Sequence, residues 1–377
     1  MDAAPEQIVN CGGQLIMSLA DIGWDSFFDH HFEPFRQAGW LPARVAREHR
    51  ELYDVRLDEG ELAARVSGRM RHLAQSRSDF PTVGDWVAVE PRPEDGDATI
   101  HALLPRKSRF CRKVAALRTE EQVVAANIDT VFLVTGLDAN FNLRRIERYL
   151  TVARESGAKP VVVLNKVDLC PEPDPLIDEA GTVAAGAPVC AISAATGQGL
   201  DALRPYVGAG STAALLGSSG VGKTTIINSL TGRDALKTGE VRQADGRGRH
   251  VTTWKELIEL PGAGVIIDTP GMRELQLWGD GDGLRGSFEE IEDLAGRCRF
   301  RDCRHEKEPG CAVKEALEQG SLDADRYKSY LKLRRELAYL SVRKDQRARF
   351  NERTRLKQIA KWSRQREKHH PKARFQG

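Results

Sequence analysis

The segment from Gly217 to Thr224 constrains most strongly what this chain can fold into. It reads Gly-Ser-Ser-Gly-Val-Gly-Lys-Thr and matches the phosphate-binding pattern G-x-x-x-x-G-K-[ST]. The apolar run at 211–216 predicts a buried strand before it, and 225–230 predicts a helix after it. In such a setting, backbone N–H groups surround an anion and the helix N-terminus adds partial positive charge. The segment therefore predicts an α/β domain that binds a nucleotide.

Each residue of this loop has an expected role. Lys223 is expected to reach the β and γ phosphates of the nucleotide, and Thr224 to offer its hydroxyl to Mg²⁺. The flanking strand and helix argue against the alternative, a glycine-rich turn that binds nothing. The expected phosphate-binding residues are Gly217, Ser218, Ser219, Gly220, Val221, Gly222, Lys223, Thr224 and Thr225.

Two further loops indicate that the base is guanine. Asn165-Lys166-Val167-Asp168 follows a predicted strand at 160–164. The Asp168 carboxylate can accept hydrogen bonds from N1–H and the exocyclic amine of guanine, a pair of donors that adenine lacks in that arrangement. Asn165 is expected to brace the loop, and the Lys166 stem to cover the base. A solvated charged turn is the alternative.

The second guanine loop is Ser193-Ala194-Ala195, at the end of a predicted strand at 189–192. Ser193 and Ala194 are expected to present backbone N–H groups to the guanine carbonyl. This pattern is weak by itself and gains weight only from the other two loops. Together the three loops predict GTP as the nucleotide.

Asp268-Thr269-Pro270-Gly271 follows a predicted strand at 264–267. Asp268 is expected to hold Mg²⁺ through water, and the Gly271 N–H to contact the γ-phosphate. The guanine loops precede the phosphate loop, which reverses the order of an ordinary small GTPase and indicates a circular permutation. The strand ends can still meet at one edge of the sheet. The segment containing Gly271 then leads directly into the C-terminal region.

Two sheets with different patterns of apolar and polar residues are predicted. Between residues 43 and 110, apolar residues alternate with polar ones in short runs separated by turns, which favours a small barrel of the oligonucleotide-binding type, although any small sheet fits the pattern. From residue 122 onward, apolar strands alternate with helices, which predicts a mostly parallel sheet. Other expected elements are a short helix at 15–28, a linker at 39–42, strands at 130–135 and 213–216, a helix at 142–156 and an edge strand at 254–260.

Four metal-binding side chains lie close together in the C-terminal part of the chain: Cys298, Cys303, His305 and Cys311. Three thiolates and one imidazole form a closed tetrahedral set, which predicts a structural Zn²⁺ site rather than a chance cluster of free thiols. The arginines Arg297, Arg299, Arg301 and Arg304 lie among these ligands and favour a surface that faces phosphate. The remaining cysteines stand alone in the sequence, which argues against a disulfide framework and for a reduced compartment.

The charge of the chain is distributed unevenly. Residues 343–377 carry 13 Lys or Arg and three acidic residues, so this tail has a net charge of +10 while the rest carries −8. A basic tail on an acidic body favours a polyanionic partner such as RNA, the alternative being a solvated, partly disordered terminus. A helix is expected before it, at 322–340. Since the chain has no long apolar run and no basic N-terminal region, we expect a cytoplasmic protein without a membrane segment. We also expect a monomer.

From about residue 39 to 340, the chain resembles the small-ribosomal-subunit-dependent GTPase A family of bacterial assembly factors. The resemblance is carried by the order of the loops, by the segments 144–149 (RRIERY) and 246–250 (GRGRH), and by the cysteine cluster. It implies an oligonucleotide-binding barrel, a permuted GTPase domain, a zinc-binding C-terminal domain and a role in late maturation of the small subunit.

The resemblance also implies a catalytic residue. Met272 follows Gly271 where many GTPases carry the glutamine that orients the attacking water, and a thioether cannot do this. The family points to His250 for that task, although an RNA-facing or solvent-facing histidine is the alternative. The family sequence His-Thr-Thr-Thr here reads His250-Val251-Thr252-Thr253, which leaves open whether Thr252 or Thr253 binds magnesium.

We therefore predict an N-terminal extension, a barrel, a circularly permuted P-loop GTPase domain, a helical zinc-binding domain and a basic tail, at 1–38, 39–115, 116–284, 285–342 and 343–377. The expected function is GTP hydrolysis stimulated by the small ribosomal subunit, in late maturation of that subunit through rRNA binding. The alternative is an RNA-binding assembly factor in which GTP only sets affinity.

Overall fold

The computed structural model describes residues 17–114, 120–232, 255–268, 277 and 281–341. A small barrel, a parallel sheet flanked by helices and a C-terminal group of helices share one hydrophobic core, while the barrel interior and the other face of the parallel sheet have buried clusters of their own. Within these residues, no helix has the length and apolar character needed to cross a membrane.

The N-terminal barrel has five strands in the order β1-β2-β3-β5-β4, and pairing of β1 with β4 closes it. The strands are β1 (Leu41–Glu48), β2 (Tyr53–Leu57), β3 (Gly60–Val66), β4 (Trp86–Arg92) and β5 (Asp97–Leu103), with α2 (Gly68–Leu73) and a 3₁₀ turn (Arg77–Asp79) between β3 and β4. Apolar residues that alternate along these strands, such as Val45, Val55 and Val87, fill the barrel interior. The predicted barrel of the oligonucleotide-binding type is confirmed.

Two predictions at the N-terminal end are wrong. The helix expected at 15–28 is α1 (Ser26–Arg36), because the Asp25 carboxylate accepts hydrogen bonds from the Phe27 and Phe28 N–H groups and starts the helix there. The linker expected at 39–42 ends early, because β1 begins at Leu41. Pro42 lacks an N–H donor and is tolerated because it lies at the start of that strand.

The second sheet is α/β, as predicted, with the order β10-β9-β8-β11-β13-β12. All neighbouring strands are parallel except the last pair. The strands are β8 (Thr130–Gly136), β9 (Lys159–Asn165), β10 (Val189–Ala191), β11 (Thr212–Gly217), β12 (Glu256–Glu259) and β13 (Val265–Asp268). The helices are α3 (Leu143–Glu155), α4 (Pro173–Val183) and α5 (Lys223–Thr231), with 3₁₀ turns at Val167–Leu169 and Leu200–Tyr206. The helix expected at 142–156 is confirmed as α3, with Asn142 as its N-cap.

The edge strand expected at 254–260 is present as β12, but it is not a free edge. It pairs with β13 on one side and with barrel strand β1 on the other, where Arg47 and Glu256 are partners. The Arg47 guanidinium also donates to the Glu256 carboxylate at 2.6 Å, and Lys255 lies 2.7 Å from Glu48. These charged pairs join the barrel to the α/β sheet.

Two strands were not foreseen from the sequence. β6 (Arg109–Val114) and β7 (Glu120–Ala126) form an antiparallel hairpin that lies outside both sheets. It spans the boundary predicted between the barrel and the GTPase domain.

The C-terminal region is helical: α6 (Asp282–Ser287), α7 (Glu289–Gly296), α8 (Ala312–Glu318) and α9 (324–341). The helix expected at 322–340 corresponds to α9. Helix α6 packs against α3, and the Glu155 carboxylate accepts hydrogen bonds from the N–H groups of Gly283 at 3.0 Å and Leu284 at 3.3 Å. The C-terminal helices are therefore fixed to the face of the α/β sheet that α3 covers.

Candidate functional site

The predicted phosphate loop joins β11 to α5 at the carboxyl edge of the parallel strands. Gly222 precedes the helix with a positive φ of 95°, and a Cβ atom there would lie 2.2 Å from the Asn165 amide nitrogen. Only glycine fits both constraints. Thr224 and Thr225 lie in the first turn of α5, where the N–H groups have no partner within the helix. The loop thus has the geometry of an anion site at a helix N-terminus.

Lys223 turns its side chain into this loop. Its ammonium lies 2.9 Å from the Gly217 carbonyl oxygen and 2.7 Å from that of Ser218. Ser219, Gly220 and the buried Val221 complete the turn between these carbonyls and the helix. A cation is therefore held where the loop is expected to enclose phosphate.

Asn165 connects three of the predicted loops. It is buried at the end of β9, its amide nitrogen donates to the Val221 carbonyl at 2.8 Å, and its amide oxygen accepts from the Ala194 N–H at 2.9 Å. The phosphate loop and both candidate guanine loops thus meet at one side chain.

The Lys166 side chain is oriented by a residue that the sequence analysis missed. Lys166 has a left-handed φ of 70°, and its ammonium lies 2.7 Å from the carboxylate of Asp138, which follows β8. Burial raises the pKa of Asp138, but the hydrogen bonds and charge of Lys166 and the Asn140 N–H outweigh burial, so the pKa lies below its usual range. In the sequence, the feature that could have identified Asp138 is its position just after the strand β8. Asp168, two residues beyond Lys166, is exposed and has no ion pair or hydrogen bond to a described residue.

In the loop from Ser193 to Ala195, the two N–H groups that were expected to bind guanine already have hydrogen-bond acceptors within the protein. The Ser193 N–H donates to the Gln198 carbonyl at 2.9 Å, and the Ala194 N–H is occupied by Asn165. The exposed Ala195 has no such acceptor among the described residues. Its N–H is the donor that this loop leaves available for a ligand.

Of the remaining predicted site residues, Asp268 is the one that lies within the described part of the chain. Asp268 ends β13, the strand next to β11, and so lies at the same sheet edge as the phosphate loop. His250, Thr252, Thr253 and Gly271 lie outside the described residues, as do Met272 and the tail 343–377.

The predicted metal ligands converge. The ligand atoms of Cys298, Cys303, His305 and Cys311 all lie within 4.8 Å of one another. The Cys298 and Cys311 sulfurs are 3.8 Å apart, and His305 Nδ1 lies 3.5 and 3.4 Å from them. In a tetrahedron with normal zinc bond lengths these edges are about 3.8 Å between sulfurs and about 3.6 Å between sulfur and nitrogen. The donor set and its spacing therefore fit Zn²⁺.

Fold and site together define a circularly permuted P-loop GTPase, in which the guanine loops precede the phosphate loop. The RsgA GTPase family profile matches residues 103–278, and a broader GTPase profile, named for 50S ribosome binding, matches residues 212–362.

Relatives extend the likeness to nearly the whole chain. A protein of Opitutus terrae named "Small ribosomal subunit biogenesis GTPase RsgA" is 50% identical over 363 residues, which is 93% of this chain and 98% of that protein. YjeQ from Thermotoga maritima has a similar structure, with a TM-score of 0.60 and 29% identity over 79% of this chain and 99% of its own. YloQ, described as a circularly permuted GTPase, shares the fold with a TM-score of 0.55 and 22% identity over 81% of this chain and 96% of its own. The chain belongs to the RsgA family of small ribosomal subunit biogenesis GTPases.

Proposed function

We propose that this site binds GTP with Mg²⁺ and hydrolyses the γ-phosphate in response to the small ribosomal subunit. The observation that carries the proposal is the position of Asn165. This residue begins the first guanine loop, and its side chain forms hydrogen bonds with the phosphate loop and with the second guanine loop. One nucleotide can then contact all three loops. Lys223 would bond the β and γ phosphates, and Thr224 and Asp268 would hold Mg²⁺.

The base is recognised by the exposed Asp168 carboxylate, which accepts from N1–H and the exocyclic amine of guanine. The Ala195 N–H donates to the guanine carbonyl, since the N–H groups of Ser193 and Ala194 are engaged. The Lys166 stem, held by Asp138, covers the face of the base. Adenine would leave the Asp168 carboxylate unpaired, which makes the site selective for guanine.

In this proposal His250 positions the attacking water, because Met272 cannot. Thr252 or Thr253 would be a further ligand of Mg²⁺ when GTP is bound, and the Gly271 N–H would contact the γ-phosphate. All of these residues lie in two segments of the sequence, one that follows α5 and one that follows β13, so both segments would contact the terminal phosphate of bound GTP.

The zinc site is structural in this proposal. Zn²⁺ would be held by Cys298, Cys303, His305 and Cys311, leaving no position open for a substrate. Bound zinc would supply folding free energy to the turn between α7 and α8, because it would tie four side chains of that turn to one ion.

The partner that we propose is the rRNA of the small subunit. A cavity of about 680 Å³ lies between the barrel and the β6–β7 hairpin, away from the phosphate loop. Its lining includes Arg50, Arg71, Arg77, Arg112 and Lys255, together with Tyr53 and Phe80. It also includes Glu48 and Glu51, which pair with Lys255 and Arg71, so three of the five cations have no acidic partner in the lining. Cations beside aromatic rings suit a nucleic-acid strand, whose phosphates and bases they contact respectively. The arginines around the zinc ligands and the basic tail at 343–377 extend the same charge to the C-terminal end.

The alternative is an RNA-binding factor in which GTP only sets affinity, and Met272 is the feature that favours it. Measuring GTP turnover with and without purified small subunits separates the two. We expect low turnover alone and a clear rise with subunits, and loss of both in Lys223→Ala. Turnover that does not respond to subunits would support the alternative.

A further inference from the structure

We propose that Arg145 is a second cation of the phosphate site and binds the γ-phosphate of GTP. This inference rests on the proposed function, since it requires that the loop at 217–224 holds GTP. Arg145 belongs to neither the phosphate loop nor the guanine loops. It lies on α3, which precedes all three of these loops in the chain.

Arg145 reaches the phosphate loop directly. One guanidinium nitrogen lies 2.9 Å from the Ser218 hydroxyl oxygen and 3.3 Å from the carbonyl oxygen of Asn140. Asn142 fixes the start of α3, because its side chain accepts from the Arg145 N–H at 3.0 Å. The backbone of Arg145 is therefore held in place, and its side chain extends toward the loop.

The positive charge of Arg145 is not balanced by a carboxylate among the described residues. Its neighbours on the same helix are paired: Arg144 contacts Glu147 at 2.5 Å, and Arg148 makes two hydrogen bonds to Glu336, at 2.6 and 2.9 Å. Arg145 is half-buried and has no ion pair with a carboxylate of the described residues. A guanidinium is always charged, so partial burial against neutral acceptors alone is unfavourable. An anionic ligand at this position would supply the missing partner.

The position of Lys223 indicates which phosphates of the ligand Arg145 faces. Lys223 donates to the Ser218 carbonyl at 2.7 Å, so both cations contact the same residue, Arg145 at its side chain and Lys223 at its backbone. The lysine of such a loop reaches the β and γ phosphates. Arg145 therefore lies on the side of the loop that faces the β and γ phosphates, and the γ-phosphate, which carries the larger negative charge, is the partner that we assign to it. A guanidinium there can make two parallel hydrogen bonds to the phosphate oxygens.

The test compares Arg145→Met with Arg148→Met, a matched control on the same helix that loses an ion pair but does not touch the loop. Affinities for GDP and for a non-hydrolysable GTP analogue are measured for both variants, with thermal unfolding without nucleotide to verify the fold. For Arg145→Met we expect affinity for the GTP analogue to fall about 10- to 100-fold, the range of one hydrogen bond to a charged group, and GDP affinity to fall less. Arg145→Lys, which keeps the charge, should recover part of this loss.

Arg148→Met should bind both nucleotides as the unsubstituted protein does. Equal losses for the GTP analogue and GDP in Arg145→Met, or affinities equal to those of Arg148→Met, would overturn the inference. Lys223→Ala tests the underlying proposal separately. If Lys223→Ala binds nucleotide normally, the loop itself is misassigned; if it loses binding while Arg145→Met discriminates normally, only the role of Arg145 fails.

Discussion

Glu147 and Arg326 form a buried ion pair between α3 and α9, with 3.0 Å between the Glu147 carboxylate oxygen and the Arg326 guanidinium. Arg326 also donates to the Glu290 carboxylate and to the Ser287 carbonyl, and its guanidinium lies 4.7 Å from the centre of the Phe288 ring. One arginine thus holds α3, α6, α7 and α9 together. Since Arg145 of the same α3 contacts the phosphate loop, the helix links the nucleotide site to the zinc-binding region.

The first prediction concerns this pair. Arg326→Met should destabilise the protein strongly, because Glu147 is fully buried and would keep only Arg144 as a charged partner. Breaking a buried pair by removing one partner costs about 3–5 kcal/mol, and the remaining arginine should place the loss at the lower end. Urea unfolding monitored by fluorescence measures it.

Arg148→Met is the comparison for that measurement. Its ion pair with Glu336 also joins α3 to α9, but both side chains are more than a quarter exposed, at 30% and 27%. We expect a loss of about 1 kcal/mol or less. If the two variants lose equal stability, burial of Glu147 does not govern the strength of this contact.

A second prediction concerns the base. Asp168→Asn should weaken GTP binding and favour xanthosine triphosphate, because the amide can donate a hydrogen bond to the second carbonyl of xanthine. Competition between the two nucleotides for the variant measures the change. Unchanged GTP affinity would remove Asp168 from the base site.

A third prediction concerns pH and Asp138. The pKa of this carboxyl is lowered from its ordinary value of 3.8, so its contribution to stability is complete above pH 3.8 and is lost as the pH falls through the lower folded-state value. Asp138→Asn should therefore be less stable than the unsubstituted protein by up to about 1 kcal/mol near neutral pH. The difference should shrink in acid. Unfolding free energies from about pH 6 down to about pH 2 would show it, because the change is expected below the ordinary carboxyl pKa of 3.8. A difference that grows on acidification would contradict the assignment.

The sequence predicted the strands and loops best where a local pattern decides them. The period-two alternation within single strands, as at Tyr53, Val55 and Leu57, marked the barrel, and the glycines of the phosphate loop are required by contacts as close as that of Gly222 with Asn165. Partners distant in sequence left no such pattern. The pairing of Arg47 with Glu256 joins positions 209 residues apart, and nothing near either residue marks it.

In the candidate site, too, local patterns were predictable from the sequence and contacts between distant residues were not. The Cys and His spacing sufficed to place four ligands together, since all lie in one short segment. The engagement of the Ala194 N–H by Asn165 could not be read from either loop, because it depends on how β9 and β10 lie side by side. Arg145 was visible only as one of several arginines on α3. What distinguishes it is that its neighbours have carboxylate partners in α3 and α9.

A fourth prediction concerns zinc. Cys303→Ser should lose the metal and unfold the turn between α7 and α8, because the three remaining ligands cannot complete a tetrahedral site. Elemental analysis of protein purified without chelators should find one zinc per chain, and circular dichroism should show lost helix in the variant. The isolated Cys190→Ser is the matched control, as Cys190 lies in β10, away from the cluster. Absence of stoichiometric zinc would count against the site.

The last prediction concerns coupling between GTP and the small subunit. The segment after Asp268 leads from the nucleotide site to the C-terminal helices, and α3 joins the same two regions through Arg145 and through Glu147 with Arg326. If GTP favours one arrangement of these helices, a subunit that binds this arrangement more tightly must raise GTP affinity by the same factor. We therefore expect tighter subunit binding with a non-hydrolysable GTP analogue than with GDP, measured by co-sedimentation. His250→Ala should suppress the subunit-stimulated rise in turnover more than it weakens nucleotide binding. Equal subunit affinity in both nucleotide states would mean that the C-terminal helices anchor the protein without responding to the nucleotide.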